Sequence, residues 1–195
     1  MLRRAVVLSL LWLVANLLPA QAADNPPSRT DARQQAAASM LKDIKQATWV
    51  RDGKSAHVIY VFFDPNCPYC HRVYENLRPA VKRGDVELRW IPTGTLMTTS
   101  PGKAAAILEA RNPTEAFYRN ESGYSRETGS FGGIAEEPLP QNKTLQSLDR
   151  NLKLLQRSGN QGVPALLFRT MDGTANLIVG APPAAFLEKL VKEIE

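Results

Sequence analysis

Cysteine is scarce in this 195-residue chain: Cys67 and Cys70 are the whole supply, beside two histidines, His57 and His71. Cysteines only two residues apart enclose almost no chain, so they cannot staple a domain as distant pairs do in disulfide scaffolds. A bridge over so short a loop also restricts the unfolded chain very little. A structural zinc site would need all four of these residues, and His57 reads as a polar edge residue at the entrance of an apolar strand. Charge imbalance is small, 24 Lys+Arg against 19 Asp+Glu, with no basic stripe to grip nucleic acid. Long apolar runs are missing as well. The longest, Ala5 to Leu18, falls short of the ~20 residues that cross a bilayer. A hydrophobic share of 44% excludes a disordered chain, and 14 Pro with 12 Gly in no regular period do not make a fibre. Neither internal repeats nor low-complexity tracts occur.

What is present begins with a leader. Arg3 and Arg4 precede the apolar run, and Pro19 with Ala20-Gln21-Ala22 follows it. This is the pattern of a secretory signal, with cleavage expected after Ala22. Leu2, Ala5 and Val6 give little support to a twin-arginine reading of Arg3-Arg4. The expected product, residues 23–195, is exported, has no stable membrane insertion, and loses two of the positive charges. We divide the chain into a signal (1–22), a leader with an N-terminal helix (23–54), and a catalytic domain (55–195) carrying a helical insertion at about 95–158.

The pattern along the product predicts a helix over 31–48, with Ala37, Met40, Leu41 and Ile44 on one face. That helix could pack on its own domain or form a dimer contact. A strand buried on both faces follows at 57–63. A helix over 68–82 comes next, stopped by Gly84 and bent or shortened by Pro79. Residues 86–91 alternate as a second strand. Helices are expected over 101–110, around 114–118 and over 144–157, the last with Leu145, Leu148, Leu152 and Leu155 as its stripe. The long loop 119–143, with Glu136 and Glu137, reads as solvated or as part of a client groove. Strands at 165–168 and 175–179 flank the hairpin turn Met171-Asp172-Gly173. Pro182-Pro183 opens a last helix, with Phe186, Leu187, Leu190, Val191 and Ile194 inward. A parallel crossover followed by an antiparallel hairpin requires one mixed sheet with helices on both faces, an α/β fold.

Cys67 then stands between a buried strand and a helix start. Unpaired N–H groups and roughly half a positive charge favour a thiolate there. Cysteines in such C-x-x-C pairs titrate at ~3.5–7.5 instead of about 8.5. Pro68 suits the first helical position, and Cys70 lies one turn on. Cys67 is the expected nucleophile, and Cys70 resolves the mixed disulfide. Gly162-Val163-Pro164 precedes a buried strand that proline cannot continue as a ladder donor. A cis bond at Pro164 would leave the Val163 backbone open to an extended client chain.

Phe63-Asp64-Pro65-Asn66-Cys67-Pro68-Tyr69-Cys70 before a helix, and Val163-Pro164 before a hairpin, resemble the thioredoxin superfamily. More narrowly they resemble its DsbG/DsbC family of periplasmic thiol:disulfide interchange proteins. Val86-Glu87-Leu88-Arg89 and the stretch Ser100 to Ala110 extend the likeness over roughly 55–195. The resemblance implies a thioredoxin fold with a helical insertion before the cis-proline strand. It implies a redox-active Cys67–Cys70 disulfide, no cofactor, and Val163, Pro164 and Tyr69 as client-binding residues. It further implies isomerase or reductase action on exported proteins and reduction by a membrane thiol reductase of the DsbD type. Pro68 and His71 would tune the Cys67 thiolate, His71 from the exposed side of the helix. Three departures accompany it. Residues 23–57 have room for the family's linker helix but not for its dimerisation domain, which leaves the oligomeric state open. Val163 stands where the family usually has threonine and resembles the oxidase DsbA. Val61 occupies the position of the buried acid of thioredoxin and DsbA, which leaves the proton acceptor for Cys70 unassigned.

Two other functions compete. A dithiol oxidase of DsbA type would donate its disulfide and use an oxidase partner. Cys67-Pro68-Tyr69-Cys70-His71 also reads as a c-type haem site, with His71 and Met97 or Met171 as axial ligands. Glutaredoxins share Cys-Pro-Tyr-Cys but lack the leader and the insertion. Asp64 is expected to cap the helix or simply end the strand.

Overall fold

The computed structural model describes residues 28–125 and 131–195; the expected leader lies outside them. Helix α1 (Arg29–Asp43) starts at a capping box, in which the Ser28 hydroxyl accepts from the Asp31 N–H and the Asp31 carboxylate accepts from the Ser28 N–H. A 3-10 turn (Ile44–Gln46) ends it. The rest of the chain runs β1 (Val50–Asp52), β2 (Val58–Phe63), α2 (Pro68–Arg83), β3 (Glu87–Pro92), α3 (Ser100–Leu108), α4 (Pro113–Ser122), α5 (Asn142–Gln156), β4 (Ala165–Arg169), β5 (Ala175–Val179) and α6 (Ala184–Leu190).

The strands form one sheet in the order β1-β3-β2-β4-β5. Only the β2–β3 pair is parallel, joined through α2, and the other pairs are antiparallel. This is the expected mixed α/β sheet with one crossover and one hairpin. Period-two alternation splits its apolar residues between two layers. Ile59, Val61 and Phe63 of β2, with Leu166 and Phe168 of β4, face α2, α4 and α6. Phe62, Ala165 and Leu167 face the opposite way, onto α1 and α5.

Some details differ from the sequence expectation. Strand β1 was not foreseen: three residues are too few to establish a period, and it pairs at the sheet edge, Val50 opposite Trp90. The division placed between 54 and 55 therefore runs through one sheet. Helix α1 packs on its own domain, with Ala37 and Met40 fully buried over β5. Pro79 does not stop α2, whose last turn closes through Gly84 N–H to Val81 and Asp85 N–H to Ala80, with Gly84 at φ 79°. Helix α4 is longer than expected. Helix α5 turns Asn151 and Leu154 inward in place of Leu145, because the Asn151 amide bridges the Thr48 backbone and Pro92 O. Phe186 likewise faces outward from α6.

Candidate active site

The site forms where β2 ends and α2 begins. Asp64 leaves the strand with a fully buried carboxylate. Its Oδ1 accepts from Asn66 N–H (2.9 Å) and the Ser100 hydroxyl (2.7 Å). Its Oδ2 accepts from Thr95 N–H (2.6 Å) and Leu96 N–H (3.0 Å). Asp64 therefore does not cap α2; it ties the strand end to the insertion. Asn66 extends that tie, donating to Thr99 and Ser100 and accepting from Lys103 Nζ at 2.9 Å.

The helix is capped by Cys67 itself, whose Sγ accepts the Cys70 N–H at 3.2 Å, and Pro68 is the first helical residue. Hydrogen bonds from Cys70, at its side chain and backbone, and from the Tyr69 backbone hold the Cys67 thiol below the ordinary cysteine range against the opposing effect of burial. Burial, then the hydrogen bond with Cys67, pushes the Cys70 thiol well above that range. The two sulfurs are free thiols, one poised to ionise and the other held neutral. From the far side, the Cys67 thiol reaches Val163 O at 3.7 Å. Val163-Pro164 is a cis peptide, Pro164 buried and Val163 partly exposed. Residues nearly a hundred positions apart thus meet around one sulfur. Tyr69 lies 55% exposed beside them, with the Arg72 guanidinium 5.2 Å from its ring centre.

His71 is placed differently from expectation. Its side chain is 19% exposed, Nδ1 lies 2.9 Å from the Glu121 carboxylate, and Nε2 lies 3.6 Å from Glu75. The ring stacks on Tyr124 at 4.3 Å. It faces α4 because a buried carboxylate there needs a partner. Tyr124 covers one face of the ring, and both ring nitrogens are directed at carboxylates. Met97 and Met171 are exposed side chains. Among the described residues, no group of three or more His, Cys, Asp or Glu side chains is placed to hold a metal ion.

The insertion contributes residues that carried no signal in the sequence. The Asn120 amide donates to Pro65 O (3.0 Å) and Glu121 (3.1 Å), and the Tyr124 hydroxyl donates to Pro65 O (2.7 Å). Gly132 (φ 73°) passes so close that a Cβ would collide with Asn120 and Pro65. A helical Glu is ordinarily a solvated residue, and only the packing of α4 reveals Glu121 as a buried one. Glu136 and Glu137 run along α3, Glu137 N–H donating to Gly102 O.

Residues 44–195 match the thioredoxin-like domain family. The chain is 32% identical over 148 residues to the thiol:disulfide interchange protein DsbG of Pseudomonas aeruginosa, covering 75% of this chain and 56% of that protein. It is also 32% identical over 148 residues to DsbG of Escherichia coli, covering 73% and 56%. The chain thus spans little more than half the length of these relatives. Among solved structures it is similar to the catalytic domain of Proteus mirabilis ScsC, with TM-score 0.62 and 24% identity over 82% of this chain and 96% of that one.

Proposed function

The chain belongs to the thioredoxin-like domain family, and on that premise we propose that it is a thiol:disulfide oxidoreductase acting on exported proteins. The observation that carries this reading is the asymmetry of the pair: both are buried, but Cys67 caps a helix and is lowered, while burial prevails at Cys70 and raises it. The Cys67 thiolate attacks a client disulfide, forming a Cys67–client bond and releasing the other client sulfur as a thiolate. Cys70, once deprotonated, attacks Cys67 Sγ. The Cys67–Cys70 disulfide forms, the second client sulfur leaves with its electron pair, and the client is reduced by two electrons. If a client thiol instead displaces Cys67, the client disulfide is rearranged and no electrons are gained or lost.

Val163 and Pro164 form the edge along which an extended client chain lies, with Tyr69 beside it, and Pro68 sets the helix start. The compartment is the periplasm, as the Arg3 to Ala22 leader implies; among the described residues no helix is long and apolar enough to cross a membrane. A membrane thiol reductase of DsbD type would return the pair to the dithiol, which makes the role that of a reductase or isomerase, similar to DsbG. Val163 before Pro164 favours a second reading, disulfide donation of DsbA type with an oxidase partner.

In a disulfide-exchange assay, Cys67→Ser abolishes turnover, and Cys70→Ser accumulates client joined to Cys67. Full activity in Cys67→Ser would overturn the reading. Trapping the thiols in intact cells separates the two directions: a mainly reduced pair supports the reductase or isomerase, a mainly oxidised pair the donor.

A further inference from the structure

During exchange the client hangs from Cys67 Sγ, so side chains standing around that sulfur meet the client next to its attacked cysteine. Tyr69, Leu96, Met97 and Phe131 are large, apolar and exposed. Tyr69 belongs to the helix start, and the other three lie on segments tied to the residues just before Cys67. Leu96 N–H donates to Asp64 Oδ2, and Met97 N–H donates to the Ser100 hydroxyl, which itself donates to Asp64. Single apolar side chains scattered on a surface are ordinary, but a group gathered about one reactive loop marks a contact surface.

Phe131 is held there with particular care. The Lys103 ammonium has three N–H donors, and each has an acceptor: Asn66 Oδ1 at 2.9 Å, Phe131 O at 2.7 Å and Gly132 O at 3.2 Å. Asn66 is the buried residue directly before Cys67. One ammonium therefore joins the loop of the nucleophile to the turn that carries Phe131. None of its three acceptors is a carboxylate. Burial pushes the Lys103 ammonium below the ordinary lysine range, against the opposing charges of Glu136 and Asp64. A lysine kept for its charge would pair with an acid; this one gives up hydration to hold backbone. From the other side, Gly132 lies against Pro65 O, and Gly133 N–H donates to Asn120 O at 2.8 Å. Every one of these ties is made by the backbone of the turn, while Phe131 stays 41% exposed.

We propose that Phe131 is a specificity residue, contacting an aromatic or large aliphatic side chain beside the client's attacked cysteine, and that Lys103 is the positioning residue that sets it there. The occupant is fixed by the chemistry: a chain bonded to Cys67 Sγ lies over the segments tied to its loop. A backbone edge such as that at Val163 accepts any sequence, and side-chain contacts beside it supply the preference. Lys103 acts through the turn and touches no reacting atom.

This inference rests on the oxidoreductase reading, and one experiment separates the two. The reduced full chain is reacted with two symmetric peptide disulfides, alike except for the residue beside cysteine, phenylalanine in one and serine in the other. Released peptide thiol is followed at equal, subsaturating concentrations. No reaction with either peptide sinks the oxidoreductase reading itself. With the Phe131 contact, the wild type reduces the phenylalanine peptide about tenfold faster than the serine peptide. Phe131→Ser lowers that ratio to about twofold, and Lys103→Met, which keeps the ring but cuts its tie, lowers it in the same direction. A purely structural loss slows both peptides alike and leaves the ratio where it was. Equal rates in the wild type, or an undiminished ratio in Phe131→Ser, overturn the specificity role; an undiminished ratio in Lys103→Met overturns the positioning role. Phe131 is an exposed side chain, so its exchange leaves both buried layers intact.

Discussion

Cys67 and Cys70 share a motif, but their sulfurs occupy opposite electrostatic surroundings. Both are buried; at one the hydrogen bonds of a helix start outweigh burial, and at the other burial prevails. Alkylation should separate them. Iodoacetamide modifies Cys67 at pH values below the ordinary thiol range, because its thiolate persists there, and leaves Cys70 untouched until strongly alkaline pH. Mass spectrometry of the two sites against pH measures this directly; equal labelling, or Cys70 first, would contradict the surroundings described. The same shifts fix the sign of the stability change in the reduced protein. The lowered Cys67 contributes stability above the unfolded thiol pKa and loses it as pH falls through its folded value. The raised Cys70 costs stability as pH rises through the unfolded value. Cys67, Pro68, Cys70 and Pro164 were all legible, since their chemistry depends on local order: strand, cap, proline, turn of helix. Glu121 was not, because nothing near it in sequence distinguishes a buried carboxylate from a solvated one.

At the scale of elements, the loop between β2 and α2 is held mainly from outside its own helix. Asp64 fastens the end of β2 to Thr95, Leu96 and Ser100, the first residue of α3, with three hydrogen bonds, while Asn120 and Tyr124 both hold Pro65 O. Asp64→Ala leaves the N–H groups of Thr95 and Leu96 without their acceptor and should cost about 3 kcal/mol in urea unfolding. A loss below roughly 0.5 kcal/mol, the range of an ordinary surface change, would mean the tie is dispensable. Long periodic elements were legible, and β2, α2, β4 and β5 lie close to where their patterns put them. Strand β1 escaped because three residues show no period, and the inward face of α5 was misjudged because Asn151 is buried for its hydrogen bonds, which apolar patterning does not register.

For the molecule as a whole, the two apolar layers make α1 part of the fold. Met40 is fully buried against the face opposite the cysteines, although the family match begins only at residue 44. Met40→Ala should cost about 2–5 kcal/mol and lower the melting temperature, while leaving the pH profile of Cys67 alkylation in place. A melting temperature equal to wild type would show that the lower layer does not depend on α1. The overall α/β plan was legible because one crossover and one hairpin admit few sheets. The docking of α4 on Trp90 and Phe63 through Phe117, with ring centres 4.9 and 5.3 Å apart, was not, since it depends on aromatic residues distant in sequence. The Val163 carbonyl beside Cys67 gives the site a timetable. Synthesis runs from the N-terminus, so both cysteines exist long before Asn120, Tyr124 and Val163 join them. A nascent chain that stops short of β4 carries the cysteine pair without the Val163 carbonyl beside it. The lowered sulfur is set by its own helix start, early in the chain, while the backbone edge beside it is completed only near the end of synthesis.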